Sequence, residues 1–142
     1  MKRAAITLAF VISLWAVAPV GAQDQPGYKL DVPEHLDVDT GGGSLPVTIT
    51  VDHGQTISKD GGLTLDIAPD AGIAVRRRRL ARTDAVDPDE DSPRFAIPLR
   101  TDTAGDFRLK LHLRFWLCGT KVCKPIDARR TVTVSVHAPA AH

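Results

Sequence analysis

Cys118 and Cys123 are the only thiols in a chain of 142 residues, and four residues separate them. Two thiols so close together support three kinds of chemistry. They can form a disulfide that a partner's thiolate attacks, so that electrons pass by exchange. They can form a disulfide that only staples a turn; closing so short a ring contributes about 2 kcal/mol by loop-entropy bookkeeping, at the low end for such bonds. Or they can hold a metal, which needs further ligands such as His112, and no C-x-x-C…H spacing supports this third reading.

Little else in the chain carries chemistry. His35, His53, His112 and His137 are scattered without ligand spacing, and no serine lies in a nucleophile elbow. Asp87, Asp89 and Asp91 have the one-three-five spacing of a calcium loop. Ser92 stands where the sharp-turn glycine belongs, however, and Pro98 where the bidentate glutamate belongs. Arg76-Arg77-Arg78-Arg79 with Arg82 is a basic run. With 18 Lys+Arg against 17 Asp+Glu the net charge is only +1, which excludes a strongly basic nucleic-acid binder. The run reads as a solvated strand end, with the acidic stretch 84–91 folding back on it as a charge clasp. A single methionine argues against a Met-rich copper carrier. No cofactor and no metal is implied.

The elements that must position the cysteines are strands. Apolar residues alternate with polar ones at Tyr28-Leu30-Val32, Val47-Ile49-Val51, Leu63-Leu65-Ile67, Ile73-Val75, Phe95-Ile97-Leu99, Phe107 through Leu117, and Val132-Val134-Val136. Period-two runs put one face on a core. The breaks between them are turn material, such as Gly41-Gly42-Gly43, Asp60-Gly61-Gly62 and Ala104-Gly105. About seven short strands with no helix between them predict an all-β fold, an immunoglobulin-like antiparallel β-sandwich, with a small barrel as the alternative. Pro46 suits an edge or entry position, and Pro98 an edge or a bulge.

Setting Cys118 opposite Cys123 across a four-residue loop fixes the last hairpin. Phe115 then faces Ile126, Leu113 faces Ala128, Leu109 faces Val132 and Phe107 faces Val134, all apolar and inward. Arg114 faces Asp127 on the outer face, and Trp116 faces Pro125. Leu111 facing Arg130 is the one mismatch, to be explained by a bulge or a thinning core. In this register Cys118 shares the outer, polar face with Arg108, Lys110, His112, Arg114 and Trp116. The cysteine pair is therefore expected at an outward tip that another protein can reach. Cations on that face would favour thiolate, and Trp116 would partly cover the sulfurs.

The amino terminus reads as an address. Lys2-Arg3, an apolar run from Ala4 to Ala18, and the small residues Val20-Gly21-Ala22 match a secretory signal peptide over 1–22. The run is too short for the roughly 20 residues of a membrane span. An exported domain over 23–137 and a flexible tail over 138–142 are expected to follow, with no membrane span after cleavage and in a compartment where disulfides form.

The stretch 107–136, with Phe115-Trp116-Leu117-Cys118, a short tip, Cys123-Lys124-Pro125 and a Thr/Val strand, resembles the immunoglobulin-like N-terminal periplasmic domain of the thiol:disulfide interchange protein DsbD. The resemblance implies that Cys118 and Cys123 are a redox-active pair, that Pro125 is the Cys-x-Pro proline, and that Trp116 is the supporting aromatic. It further implies a periplasmic thiol–disulfide interchange (oxidoreductase) component. Its partners would be thioredoxin-fold periplasmic proteins or a separate membrane thiol reductase. The spacing Cys-x4-Cys is one residue shorter than in that family, and no aromatic between Val75 and Ser92 marks its cap loop. The alternative from a different class is a non-catalytic periplasmic binding or assembly module whose disulfide is structural.

Overall fold

Each long alternating strand leaves one apolar face to bury, and two sheets close on each other to bury it. The computed structural model describes residues 27–138; the expected signal peptide over 1–22 and residues 139–142 of the expected tail lie outside them. Ten strands follow in order: β1 (Tyr28–Asp31), β2 (His35–Asp39), β3 (Gly43–Val51), β4 (Thr56–Ile57), β5 (Thr64–Pro69), β6 (Ile73–Val75), β7 (Arg79–Ala81), β8 (Arg94–Thr101), β9 (Gly105–Cys118) and β10 (Cys123–His137). One sheet has the order β1-β3-β8-β6 and the other β2-β10-β9-β5-β7, with β4 joining β9 near its end. The fold is an immunoglobulin-like β-sandwich.

Seven of these strands are the seven alternating runs. The other three have little alternation to give them away. β4 has two residues, β7 lies at the end of the arginine run, and β2 buries fully only Val38. β2 also pairs with β10 in parallel, whereas the other pairings are antiparallel.

The core lies between the sheets. Leu65, Leu109, Leu113, Leu117, Val132 and Val134 come from one side, and Leu45, Val47, Ile49, Phe95 and Ile97 from the other; all are essentially inaccessible. Thr101 is the one buried polar residue among those described, and its hydroxyl donates to the Asp39 carbonyl at 3.3 Å. A proline removes a ladder donor, so it is tolerated where no neighbouring strand needs that donor. Pro46 and Pro98 obey this. β1 pairs with β3 only over Thr48–Val51, and β6 pairs with β8 only over Leu99–Thr101. Each proline lies just past the end of its flanking strand.

The hairpin register is the expected one at every position, from Gly105 opposite Val136 to Cys118 opposite Cys123. Leu111 does face Arg130, and no bulge intervenes. Arg130 is instead half-buried, and its Nη1 donates to the Arg129 carbonyl at 2.9 Å.

Core burial and outward position should separate cleanly in stability measurements. Leu113→Ala removes a side chain only 1% exposed and should cost about 2–5 kcal/mol. Thr131→Ala, on the outer face, should stay within about 0.5 kcal/mol of the parent. Urea unfolding followed by circular dichroism reads both.

Candidate functional site

The hairpin tip is built by the ends of β9 and β10, where β4 still flanks β9 but β2 no longer flanks β10. The Gly119 amide donates to the Val122 carbonyl at 2.9 Å, which narrows the turn to Thr120-Lys121. That bond sets the phase of the ladder. Hydrogen-bonded and non-bonded pairs alternate in antiparallel strands, so the next pair inward, Cys118 and Cys123, is a non-bonded one in which side chains approach closely. Their Cα atoms are 4.0 Å apart and the two sulfurs are joined in a disulfide.

The disulfide sits on the outer face of the sheet, as the register implied. Its two halves are not equivalent. Cys118 is half-buried beside β4, with Thr56 opposite it. Cys123 is exposed, on the side of β10 where no strand of the described residues follows, because β2 pairs only with Thr133–His137. Leu117, under the bond, is fully buried, and Tyr28 packs edge-on against Phe115 with ring centroids 5.3 Å apart. The tip therefore stands on a rigid apolar floor.

Trp116 and Pro125 face each other one rung further along the outer surface. Trp116 keeps 41% of its surface exposed. Its other side is covered by the loop 58–62: the Ser58 amide donates to the Trp116 carbonyl at 2.9 Å, and the Gly61 amide donates to the Ser58 hydroxyl at 2.9 Å. A Cβ on Gly61 would stand 2.6 Å from Trp116 Cδ1, so only glycine allows that approach. No sequence signal tied this loop to Trp116. Gly61, Gly62, Thr64, Arg114, Trp116 and Pro125 help line a shallow depression of about 310 Å³ that begins two rungs from the disulfide and does not include either cysteine.

The charges of this face lie elsewhere than expected. Trp116 and Pro125 form an uncharged step between the sulfurs and the first ionic residues. Arg114 stands opposite Asp127 as the register required, but its Nη2 bonds Asp66 on β5 at 3.0 Å. Asp66 also takes Arg79 at 2.7 Å, while Asp127 bonds His112 Nε2 at 2.8 Å. Arg114 and His112 are thus engaged by carboxylates two or more rungs from the sulfurs. His112 lies six residues from Cys118 along β9, about 20 Å at strand rise, so it cannot complete a metal site with the thiols. Among the described residues no group of three or more His, Cys, Asp or Glu is placed to hold a metal ion.

The arginine run is a set of braces. Arg77 pairs with Asp84, and the Asp84 carboxylate also accepts the Ala81 amide. Arg82 does not pair with the acidic side chains of 84–91. It donates to the main-chain carbonyls of Pro88 at 2.9 Å, Glu90 at 2.9 Å and Ile57 at 3.3 Å. A guanidinium therefore fills the loop whose aspartate spacing resembled a cation site.

No protein-family model matches the chain, and no curated protein matches it. Solved structures overlap it in outline. WR4, an MSP family member from C. elegans, is 12% identical with a TM-score of 0.43, over 76% of this chain and 97% of that one. AggA, the major subunit of aggregative adherence fimbriae type I from Escherichia coli, is 10% identical with a TM-score of 0.38, over 78% and 95%. The CooA pilin subunit from enterotoxigenic Escherichia coli is 11% identical with a TM-score of 0.31, over 79% and 99%. Likeness at this level carries nothing about what the chain does. Among the described residues no helix is long and apolar enough to cross a membrane.

Two outcomes follow from this layout. Gly61→Ala should displace the loop from Trp116 and shift its emission to the red, read in the chain lacking 1–22 so that Trp15 does not contribute. The hydrogen bond from Arg79, with the charges of Arg79 and Arg114, holds the Asp66 carboxyl below its ordinary value of 3.8, against a smaller opposing effect of burial. The ion pairs' contribution is thus complete above that ordinary value and is lost as pH falls through the lower folded one. Asp66→Asn should cost up to about 1 kcal/mol at pH 7, and the difference from the parent should vanish as pH is lowered below 3.8.

Proposed function

We propose that the chain is an exported thiol–disulfide exchange domain, an oxidoreductase component that relays electrons through Cys118 and Cys123. The observation that carries this reading is the place of the bond: on the outer face of a hairpin tip, with Cys123 the more exposed of its two residues. As a staple alone the bond would add modestly to a hairpin that is already paired. The hairpin is already held by the ladder from Gly105 to Cys118, and the short ring contributes about 2 kcal/mol. The motif Phe115-Trp116-Leu117-Cys118 with Cys123-Lys124-Pro125 supports the likeness to the N-terminal periplasmic domain of DsbD. Trp116 under loop 58–62 supplies an aromatic neighbour that the stretch between Val75 and Ser92 does not.

The chemistry balances without further acid or base. A partner's thiolate attacks Sγ of Cys123, the more exposed residue of the pair; the Cys118–Cys123 bond breaks and Cys118 leaves as a thiolate. A second thiol of the partner then attacks its own sulfur in the mixed disulfide and releases Cys123 as a thiolate. The partner is oxidised and this domain is reduced by two electrons. The reverse sequence, begun by Cys123 on a partner's disulfide, restores the bond. The partners of this reading are thioredoxin-fold proteins and a separate membrane thiol reductase, and the compartment is the periplasm, reached through cleavage after residue 22.

A second reading has its own observation. Cys118 is half-buried, and Arg114 and His112 of the same face are engaged by Asp66 and Asp127, as suits an inert staple in a binding or assembly module. The two readings differ in potential and in trapping. Exchange predicts a reduction potential above about −300 mV. It also predicts a mixed disulfide through Cys123 when Cys118→Ser protein meets a reduced thioredoxin-fold partner activated at its thiol. A potential below that limit and no adduct with either single cysteine variant would leave the staple.

A further inference from the structure

We propose that the free edge of β10 between Pro125 and Thr133 is a docking site for an extended, acidic segment of a partner protein, which adds to the sheet as a further strand. β10 lies between β9 and β2, but β2 covers it only from Thr133 onward. Among the described residues, 126–132 therefore form a border that no strand pairs with, about 24 Å long at strand rise. The strands that end the two sheets are shorter: β1 has four residues, β2 five, and β6 and β7 three each.

The phase of the ladder says what this border offers. The Gly119–Val122 bond directs the even-numbered residues of β10 toward β9, so the odd ones point outward. The Thr133 amide confirms it at the far end by donating to the Glu34 carbonyl at 2.9 Å. Outward on the uncovered stretch are the amides of Asp127, Arg129 and Thr131 and the carbonyls of Pro125, Asp127 and Thr131. Donors and acceptors at this two-residue repeat match an extended chain and no small ligand. Pro125, without an amide, ends the row one rung short of the disulfide.

Charge selects the occupant. Arg129 is exposed on the outer face with Lys110 on the adjacent strand, and Arg130 lies half-buried on the inner side. The one carboxylate on the stretch, Asp127, is taken by His112. A strand carrying glutamates or aspartates would meet Arg129 and Arg130. A second copy of this chain is disfavoured, because two-fold pairing gathers both copies' Arg129 and Arg130 and both prolines on one seam. Arg130 Nη1 on the Arg129 carbonyl occupies one acceptor of the row, and an incoming acidic side chain would draw it away. The docking holds whether or not the disulfide is exchanged.

The probe is a fluorescein-labelled nonapeptide of repeated threonine-glutamate-glutamate, which puts carboxylates on both faces of a strand, titrated into the intact oxidised protein by fluorescence polarisation. Saturable binding is expected, together with slowed amide exchange at Asp127, Arg129 and Thr131 and unchanged exchange at Ala128, whose amide faces β9. The variant R129E/R130E should bind at least tenfold more weakly, a lysine-for-glutamate peptide should not bind, and salt should weaken the complex. Thr131→Pro, which removes an outward amide and leaves the β9 ladder whole, gives a second variant with the same expected loss. Equal binding by the charge-reversed variant, no binding by the parent, or protection elsewhere than the odd amides would overturn the proposal. So would protection of those amides in protein alone with dimers in sedimentation, which would make the occupant a second copy.

Discussion

The structure depends on the unbroken pairing of β9 with β10. Fourteen consecutive residues of one strand meet fourteen of the other without a bulge. Side chains alternate strictly along such a ladder, so one choice of register decides the direction of every side chain on it. It places Leu109, Leu113, Leu117, Val132 and Val134 in the core and the disulfide outside it. The rest of the sandwich fills in around this hairpin: β5 and β4 line one side of it, β2 the end of the other, and the second sheet covers its apolar face.

This ladder was legible because two unrelated signals agreed on it. The cysteines proposed a tip, and the apolar pairs on one face and polar pairs on the other accepted it. The seven alternating strands were legible for the same reason, since each carries its own face pattern. β2 was not. A parallel strand pairs with β10 across nearly the whole length of the domain, and only Val38 of its five residues is fully buried, so nothing local marks it. β4 and β7 are too short to show a period.

Chemistry at the site was legible in one dimension only. The register told which residues share the disulfide's face but not which of them touch. Arg114 prefers Asp66 on β5 to Asp127 beside it, because Asp66 already lies between two arginines and collects both. Gly61 over Trp116 required two chain segments far apart in sequence to meet. The single mismatch in the hairpin, Leu111 against Arg130, needed no bulge. With β2 absent from that part of the border, a long side chain can lie half-buried and bond the neighbouring carbonyl.

The phase set by Gly119 and Val122 has one more consequence. Cys118 and Cys123 occupy a rung that contributes no main-chain hydrogen bond between β9 and β10. Opening the sulfur–sulfur bond therefore removes nothing from the backbone lattice, and the oxidised and reduced hairpins have the same reason to keep one shape. Two unbonded sulfurs must still move out of bonding distance, and the phase of the ladder lets the side chains of that one rung turn without a main-chain bond to lose.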